Sequence, residues 1–413
     1  MWEEAVARAG EEALARRRVP GAAFGVLAGG EAWTAALGVL DVRTGAPVTA
    51  DSTFRIASLT KPFTATLALY ASLSGVIGFD EEVPGPVEDV TVQHLLSHLG
   101  GFEGECGDLA RFGDGDDALP LLVADLYAQR PVVPPGELWS YCNAGFWLLA
   151  HFVAERLGTS YEEALHDWVL QPLRLERTSF GAPEATGHER GAPVADSYPR
   201  ARNASGGLVS SAGDLLAFAR FHLEERDAEA LRVAVVDTPK GWYGFGLALE
   251  RVGELHLWGH EGDYGGFQSR LVFAPEHVFA FVGLTNSETG TLAIEDVLDA
   301  ALEQVLGVRR ESPATRPRPA AELQRLAGRY AHAELELDVR ATESGLELDA
   351  VEIDRVTGAR TAQPGLRARP LGGRLYALEG GEWDGARFDF HPAQGVPRFV
   401  RFGSRLTPRV SGG

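Results

Sequence analysis

Ser58 and Lys61 stand three residues apart in Ala57-Ser58-Leu59-Thr60-Lys61. On a helix, positions i and i+3 share a face, so the hydroxyl would sit at the helix mouth with the amine one turn deeper. A serine hydroxyl needs a base before it can attack a carbonyl. A lysine amine held beside it can take that proton or hold a neighbouring base deprotonated. Arginine cannot, because a guanidinium stays protonated in proteins. The residue choice is therefore informative: of 38 basic side chains in this 413-residue chain, only Lys61 and Lys240 are lysines. Alone, Ser-x-x-Lys arises often by chance and needs companion motifs.

Two companions follow. Tyr141-Cys142-Asn143 comes after Pro134-Pro135-Gly136 and just before a helical pattern at 145–157. A tyrosine at a loop-to-helix junction can face a cleft and act as a base. Its free pKa is about 10, so work near neutrality needs a drop of about three pH units, with the Lys61 ammonium as the expected source. The Asn143 amide could bind both Lys61 and a substrate carbonyl. The segment 258–266 carries His260-Glu261-Gly262-Asp263-Tyr264 among four glycines. That is too many glycines for a regular buried strand, and in an edge strand they let a ligand approach the backbone closely. A backbone N–H here could join that of Ser58 in an oxyanion hole. His260 could donate to a substrate or relay a proton. Taken singly, each motif has a plain structural reading: an exposed serine, a half-buried tyrosine, a bend at a sheet corner.

These residues need elements to hold them. Residues 54–74 read as a buried helix beginning near Ser58, with Phe63, Leu67, Leu69, Tyr70 and Leu73 inside it. Pro62 falls in its first turn, where a missing N–H does little harm. Residues 2–17 read as a helix, and 22–27 with 32–39 as a hairpin across Gly29-Gly30. Helices are predicted at 92–98, 117–128, 145–157, 161–170 and 214–224, then strands at 244–251, 255–258, 267–274 and 278–285. A last helix at 292–306 could pack back on the sheet. Prolines alternate with arginines over 311–320, a stiff linker. Beyond it, apolar and polar residues alternate over 334–341, 345–353, 374–378, 387–390 and 398–402 between glycine turns. That pattern predicts an antiparallel sheet or small barrel. The chain thus divides into domains at 1–310 and 321–413.

Composition narrows the function classes. With 58 acidic against 38 basic side chains the formal charge is −20, which argues against nucleic acid and anionic membrane as partners. No apolar run approaches the roughly 20 residues needed to span a bilayer. Arg16-Arg17-Arg18 loosely mimics an export signal, but Glu3, Glu4, Glu11 and Glu12 spoil its basic region, so a cytoplasmic location is expected. Cys106 and Cys142 build neither a disulfide framework nor a four-cysteine zinc site, and free thiols are expected. His94, His98 and His222 lack ligand spacing, so no metal and no cofactor is expected; His98 reads as a structural histidine.

Together and in this order, the three motifs resemble those of the β-lactamase and penicillin-binding-protein family of serine hydrolases. The resemblance is to the branch holding class C β-lactamases, D,D-carboxypeptidases, esterases and D-aminopeptidases. It extends through His94-Leu95-Leu96-Ser97-His98, Gly206-Gly207-Leu208-Val209-Ser210 and Leu284-Thr285-Asn286, and covers about residues 5–306. It implies an α+β fold: an antiparallel sheet flanked by helices, with a helical subdomain. The tail is similar to the lipocalin-like barrel of several members, with a structural or cleft-covering role. By resemblance Ser58 is the acylated nucleophile, Lys61 and Tyr141 its base pair, and His260 stands where β-lactamases carry the third-motif lysine. The same resemblance makes the backbone N–H groups of Ser58 and Asp263 the oxyanion hole, and Asn143, Glu261, Gly262 and Tyr264 the substrate contacts. Glu261 is a departure from the family pattern: facing the cleft, it would repel a substrate carboxylate. The expected substrate is therefore an ester, amide or peptide, neutral or amine-bearing. A true β-lactamase or D,D-carboxypeptidase is the alternative, and a non-catalytic ligand-binding protein is the alternative from another class.

Overall fold

The computed structural model describes residues 2–380 and 383–410. The last three residues of the expected C-terminal domain lie outside these. The first architectural unit is an eight-stranded, wholly antiparallel sheet. Its strand order is Glu31–Gly38, Gly21–Ala28, Phe279–Thr285, Phe267–Ala274, Leu255–Tyr264, Ala248–Val252, Gly241–Tyr243 and Val236–Thr238. Strands from both ends of the segment therefore pair with each other, as the second and third of the eight.

Apolar side chains on both faces demand cover on both. On one face the helices Trp2–Arg17 and Gly290–Ala301 bury Val6, Ala13, Leu14, Ile294, Val297 and Leu298 against Phe24, Val26, Phe279 and Phe281. On the other, Ala212–Glu224 and a helical subdomain share a larger core with Phe63, Trp147, Leu215 and Phe218. In it, the Phe63 and Phe218 rings stack at 3.8 Å. No described helix is long and apolar enough to cross a membrane.

The second unit is an eight-stranded meander from Gly328–His332 to Arg405–Pro408, in sequence order. Tyr330 pairs with Arg409, so the first and last strands meet and the sheet nearly closes into a barrel. Tyr330, Leu337, Leu348, Tyr376, Phe388, Phe390 and Val400 fill it. Residues 307–319 form neither helix nor strand, and Arg316 N–H and Arg369 Nη1 tie this segment to the barrel strand Arg360–Gly372.

An ion pair on the outer face of the barrel is buried where the barrel meets the first unit. Arg401 and Asp389 are 1% and 2% exposed and bond through two nitrogens, at 2.9 and 2.6 Å. The same guanidinium donates to the carbonyls of Trp139 and Asp237 in the first unit. Burial alone would raise the Asp389 pKa, but hydrogen bonds from His391 and Arg401 hold it well below the usual carboxylate range. Asp389→Ala leaves an unpaired buried cation and is expected to cost about 3–5 kcal/mol in urea unfolding. Because the folded pKa is lowered, the contribution of the pair is full above the free carboxyl value near 4 and is lost as pH falls through the folded one.

Candidate active site

Ser58 lies in a short 3-10 turn, Ala57–Leu59, just before the helix Thr60–Leu73, rather than at the first turn of a long helix. Ala57 before it takes a left-handed φ of 47°, an uncommon conformation for a residue with a Cβ and one that concentrates at functional sites. The Ser269 hydroxyl caps the Ile56 carbonyl at 2.8 Å, and Thr60 Oγ1 accepts from Leu208 N–H at 3.1 Å. Lys61 Nζ stands 3.0 Å from Ser58 Oγ and donates to the Ser205 carbonyl at 2.8 Å. Trp147 Nε1 fixes Ser205 in turn, donating to its hydroxyl at 2.8 Å. The Lys61 amine faces the Tyr141 ring at 4.8 Å and is fully buried. No carboxylate ion-pairs with it among the described residues. Burial holds its pKa well below that of free lysine; the Glu105 charge is the next largest influence and opposes it, and the Arg202 and Arg405 charges each add a smaller lowering.

Tyr141 lines the cleft beside Ser58, and burial raises its pKa instead of lowering it, against a smaller lowering from the Ser58 hydroxyl. The expectation of a phenolate base is thus corrected. Desolvation outweighs the lowering by the Ser58 hydroxyl and the Arg405 charge. Asn143 does not bind Lys61: its Nδ2 donates to Glu105 Oε1, and its Oδ1 is buried without a partner. Glu105 also pairs with Arg405 at 2.5 Å, a residue of the barrel. Around that arginine the barrel turn is stitched to the second motif. Tyr141 N–H donates to the Ser404 carbonyl at 2.9 Å, and Leu406 N–H to Ser140 Oγ at 3.2 Å.

His260 sits on the ten-residue strand Leu255–Tyr264, which is regular rather than bent; up to Gly259 it pairs on both sides, whereas His260–Tyr264 pairs only with the strand Phe267–Ala274, so the expected open edge forms over the motif itself. Gly259, Gly262 and Gly266 also allow close packing within the chain. A Cβ on Gly262 would lie 2.2 Å from the Ile56 carbonyl, next to the nucleophile turn. Both His260 nitrogens are engaged: Nδ1 with the Glu261 carbonyl at 2.6 Å and Nε2 with Tyr243 Oη at 3.1 Å. Tyr243 Oη also meets His98 Nε2 at 3.1 Å, and His98 Nδ1 accepts from Cys142 N–H at 3.1 Å. Each direction follows from the ends. Cys142 N–H must donate, so His98 carries its proton on Nε2; Glu261 O must accept, so His260 carries its own on Nδ1; Tyr243 donates to His260 Nε2. Burial lowers the pKa of both histidines, that of His260 to about 3, and raises that of Tyr243. The chain is neutral throughout.

Glu261 lines the cleft, but Lys240 and Arg270 pair with it, and the Lys240 ammonium chiefly holds its carboxyl down to about 2. Its expected repulsion of a carboxylate therefore loses its basis. The reaction cleft holds about 480 Å³ and is lined by Ser58, Tyr141, Asn143, His260, Asp263 and Arg405 among others. Gly262 and Tyr264 do not line it. Tyr264 lies behind Arg202, its ring 5.3 Å from the guanidinium. Sequence reasoning missed Glu105, Ser205, Tyr243 and Arg405 as site residues. Only the rarity of lysine marked Lys240. Both cysteines are free thiols. Among the described residues no group of three or more His, Cys, Asp or Glu could hold a metal ion.

Comparison with known proteins agrees with this geometry. The Beta-lactamase family model matches residues 6–305. Penicillin-binding protein 4 of Amycolatopsis lactamdurans is 32% identical over 76% of this chain and 93% of its own. A D-aminopeptidase of Gluconobacter oxydans is 28% identical over 78% of this chain and 65% of its own. The crystal structure of SurE superposes over 99% of both chains with TM-score 0.80 and 26% identity. SurE with D-Leu gives TM-score 0.79 and 28% identity over 99% of both chains.

The hydrogen-bonded chain makes a spectroscopic prediction. Long-range proton–nitrogen NMR is expected to show one tautomer each for His98 (Nε2–H) and His260 (Nδ1–H). Tyr243→Phe keeps the ring and removes both bonds of the hydroxyl. It is expected to release His260 into a tautomer mixture and to cost about 1–3 kcal/mol of stability.

Proposed function

The chain belongs to the β-lactamase family of serine hydrolases, and from that premise we propose that it cleaves ester or amide bonds in peptide-like substrates through an acyl group on Ser58. The observation that carries the reading is the buried Lys61 amine 3.0 Å from Ser58 Oγ with burial depressing its pKa. A neutral amine accepts the Ser58 proton as the oxygen attacks. Tyr141, held as a phenol, donates to the leaving group; in the second half-reaction it takes a proton back from the water that attacks the acyl carbon, and Lys61 returns its proton to Ser58 Oγ as the ester bond breaks. The backbone N–H groups of Ser58 and Asp263 receive the developing oxyanion. His260 has both nitrogens occupied inside the protein, so its part is to hold the strand beside the nucleophile rather than to touch substrate.

For the acyl group we propose a D-configured residue. The D-aminopeptidase relative and the complex of SurE with D-Leu support this. A penicillin-type substrate is the second reading, favoured by the compensated charge of Glu261. A panel of nitrocefin, a p-nitrophenyl ester and D- and L-amino-acid p-nitroanilides separates the two. D-anilide turnover well above nitrocefin supports the first, and the reverse order the second.

Two variants test the chemistry. Ser58→Ala is expected to abolish both turnover and the mass increase produced by a fluorophosphonate probe; a mass increase that survives would overturn the assignment. Lys61→Arg keeps a cation but cannot accept the proton, and is expected to lose roughly 10²–10⁴-fold in kcat. Because the base is an amine with a depressed pKa, kcat/KM is expected to fall as pH drops through that value, with the acid limb well below the lysine value of about 10.4.

A further inference from the structure

Arg202, Lys240, Arg270 and Arg405 line the reaction cleft as its cationic walls. Three of them have carboxylate partners. Lys240 and Arg270 hold Glu261, Arg270 also takes Glu250 at 2.9 Å, and Arg405 takes Glu105 and Glu334 at 2.5 and 2.9 Å. Arg202 makes no ion pair among the described residues. Its guanidinium lies over the rings of Tyr198 at 5.0 Å and Tyr264 at 5.3 Å, and its Nε is buried without a hydrogen-bond partner.

Aromatic faces hold such a cation in place, and Glu105 acts on it without pairing with it, so no carboxylate among the described residues occupies its fork. A desolvated cation without an anion is unfavourable, and an entering anion relieves that cost. The guanidinium fork matches a carboxylate, which it can take through two parallel hydrogen bonds. Position supports the same reading. Arg202 also lines a second chamber of about 1020 Å³, whose barrel wall includes Leu335, Ile353, Phe388 and Phe402. Its carbonyl accepts from the hydroxyl of Ser205, whose own carbonyl holds Lys61. An anion on Arg202 would therefore sit at the seam between chamber and nucleophile.

We propose that Arg202 is the anion-recognising residue of this cleft, and that the substrate carries a carboxylate seated on it while its apolar body extends into the chamber against the barrel. This rests on the hydrolase reading above, and the experiment is built to separate the two.

Two matched ester pairs place the carboxylate on either side of the scissile bond. On the acyl side, p-nitrophenyl hydrogen glutarate is compared with p-nitrophenyl butyrate; on the leaving group, 4-acetoxybenzoate with 4-acetoxybenzamide. In the full chain, Arg202→Gln is expected to lose about tenfold or more in kcat/KM on at least one charged ester, with the neutral partner within about threefold, and Arg202→Lys to recover part of the loss. A second measurement needs no turnover: calorimetric binding of p-nitrophenyl hydrogen glutarate and of 4-acetoxybenzoate to the Ser58→Ala protein, with and without Arg202→Gln. Arg202-dependent binding of either supports the proposal. Equal losses on charged and neutral esters together with Arg202-independent binding overturn it. A wild-type chain that cleaves none of the esters while its Ser58→Ala form binds one in an Arg202-dependent way overturns the hydrolase reading and keeps the anion site.

Discussion

A lysine buried beside a serine, with no carboxylate ion-paired to it among the described residues, is the constraint on which the rest of this molecule depends. Burying an isolated ammonium is costly, and burial therefore depresses the pKa of this amine. The surroundings satisfy its hydrogen bonds without an ion pair. One carbonyl, that of Ser205, one hydroxyl, that of Ser58, and the Tyr141 ring do so. Each comes from a different element, so the position of one nitrogen atom fixes how the helix Thr60–Leu73, the turn at Ser205 and the segment before Asn143–Leu157 pack together.

The barrel completes this burial. Its turn between the last two strands accepts the Tyr141 N–H and places Arg405 on Glu105, which in turn holds Asn143. Arg401 anchors the same pair of strands with a buried carboxylate on one side and two carbonyls of the first unit on the other. The charge of Arg405 also acts on Lys61 and Tyr141, so a residue of the second unit takes part in setting the acidity of the first. The cleft is shaped by both units, and its electrostatics belong to neither alone.

What could be read from the sequence follows the range of the interactions involved. Ser58 and Lys61 are joined by one helical turn, so their spacing alone suggests the pair. The long helices and most strands announce themselves through periodicity. The strand Arg360–Gly372 does not, because Pro364, Gly365 and Pro370 interrupt its pattern, although Gly365 takes a positive φ within it. Glu105 and Arg405 are separated by three hundred positions, and nothing local in either segment signals the other. Lys240 and Glu261 show the converse. An acidic side chain read alone predicts repulsion, whereas its cationic partners are set by the pairing of strands across the sheet. The Tyr141 expectation erred because proximity to a cation was weighed without the desolvation that comes with being sealed in.

The chain of hydrogen bonds through His98, Tyr243 and His260 has a property that its ends decide. It begins at one peptide N–H and finishes at one peptide carbonyl, and neither can gain or lose a proton near neutrality. A line of imidazoles and phenols open at both ends would be a conductor, ready to pass protons between solvent and substrate. Terminated this way it is an insulator: no net proton can enter or leave without breaking a link. The two histidines therefore do not buffer the cleft, and in the mechanism we propose the shuttling of protons is left to Ser58, Lys61 and Tyr141.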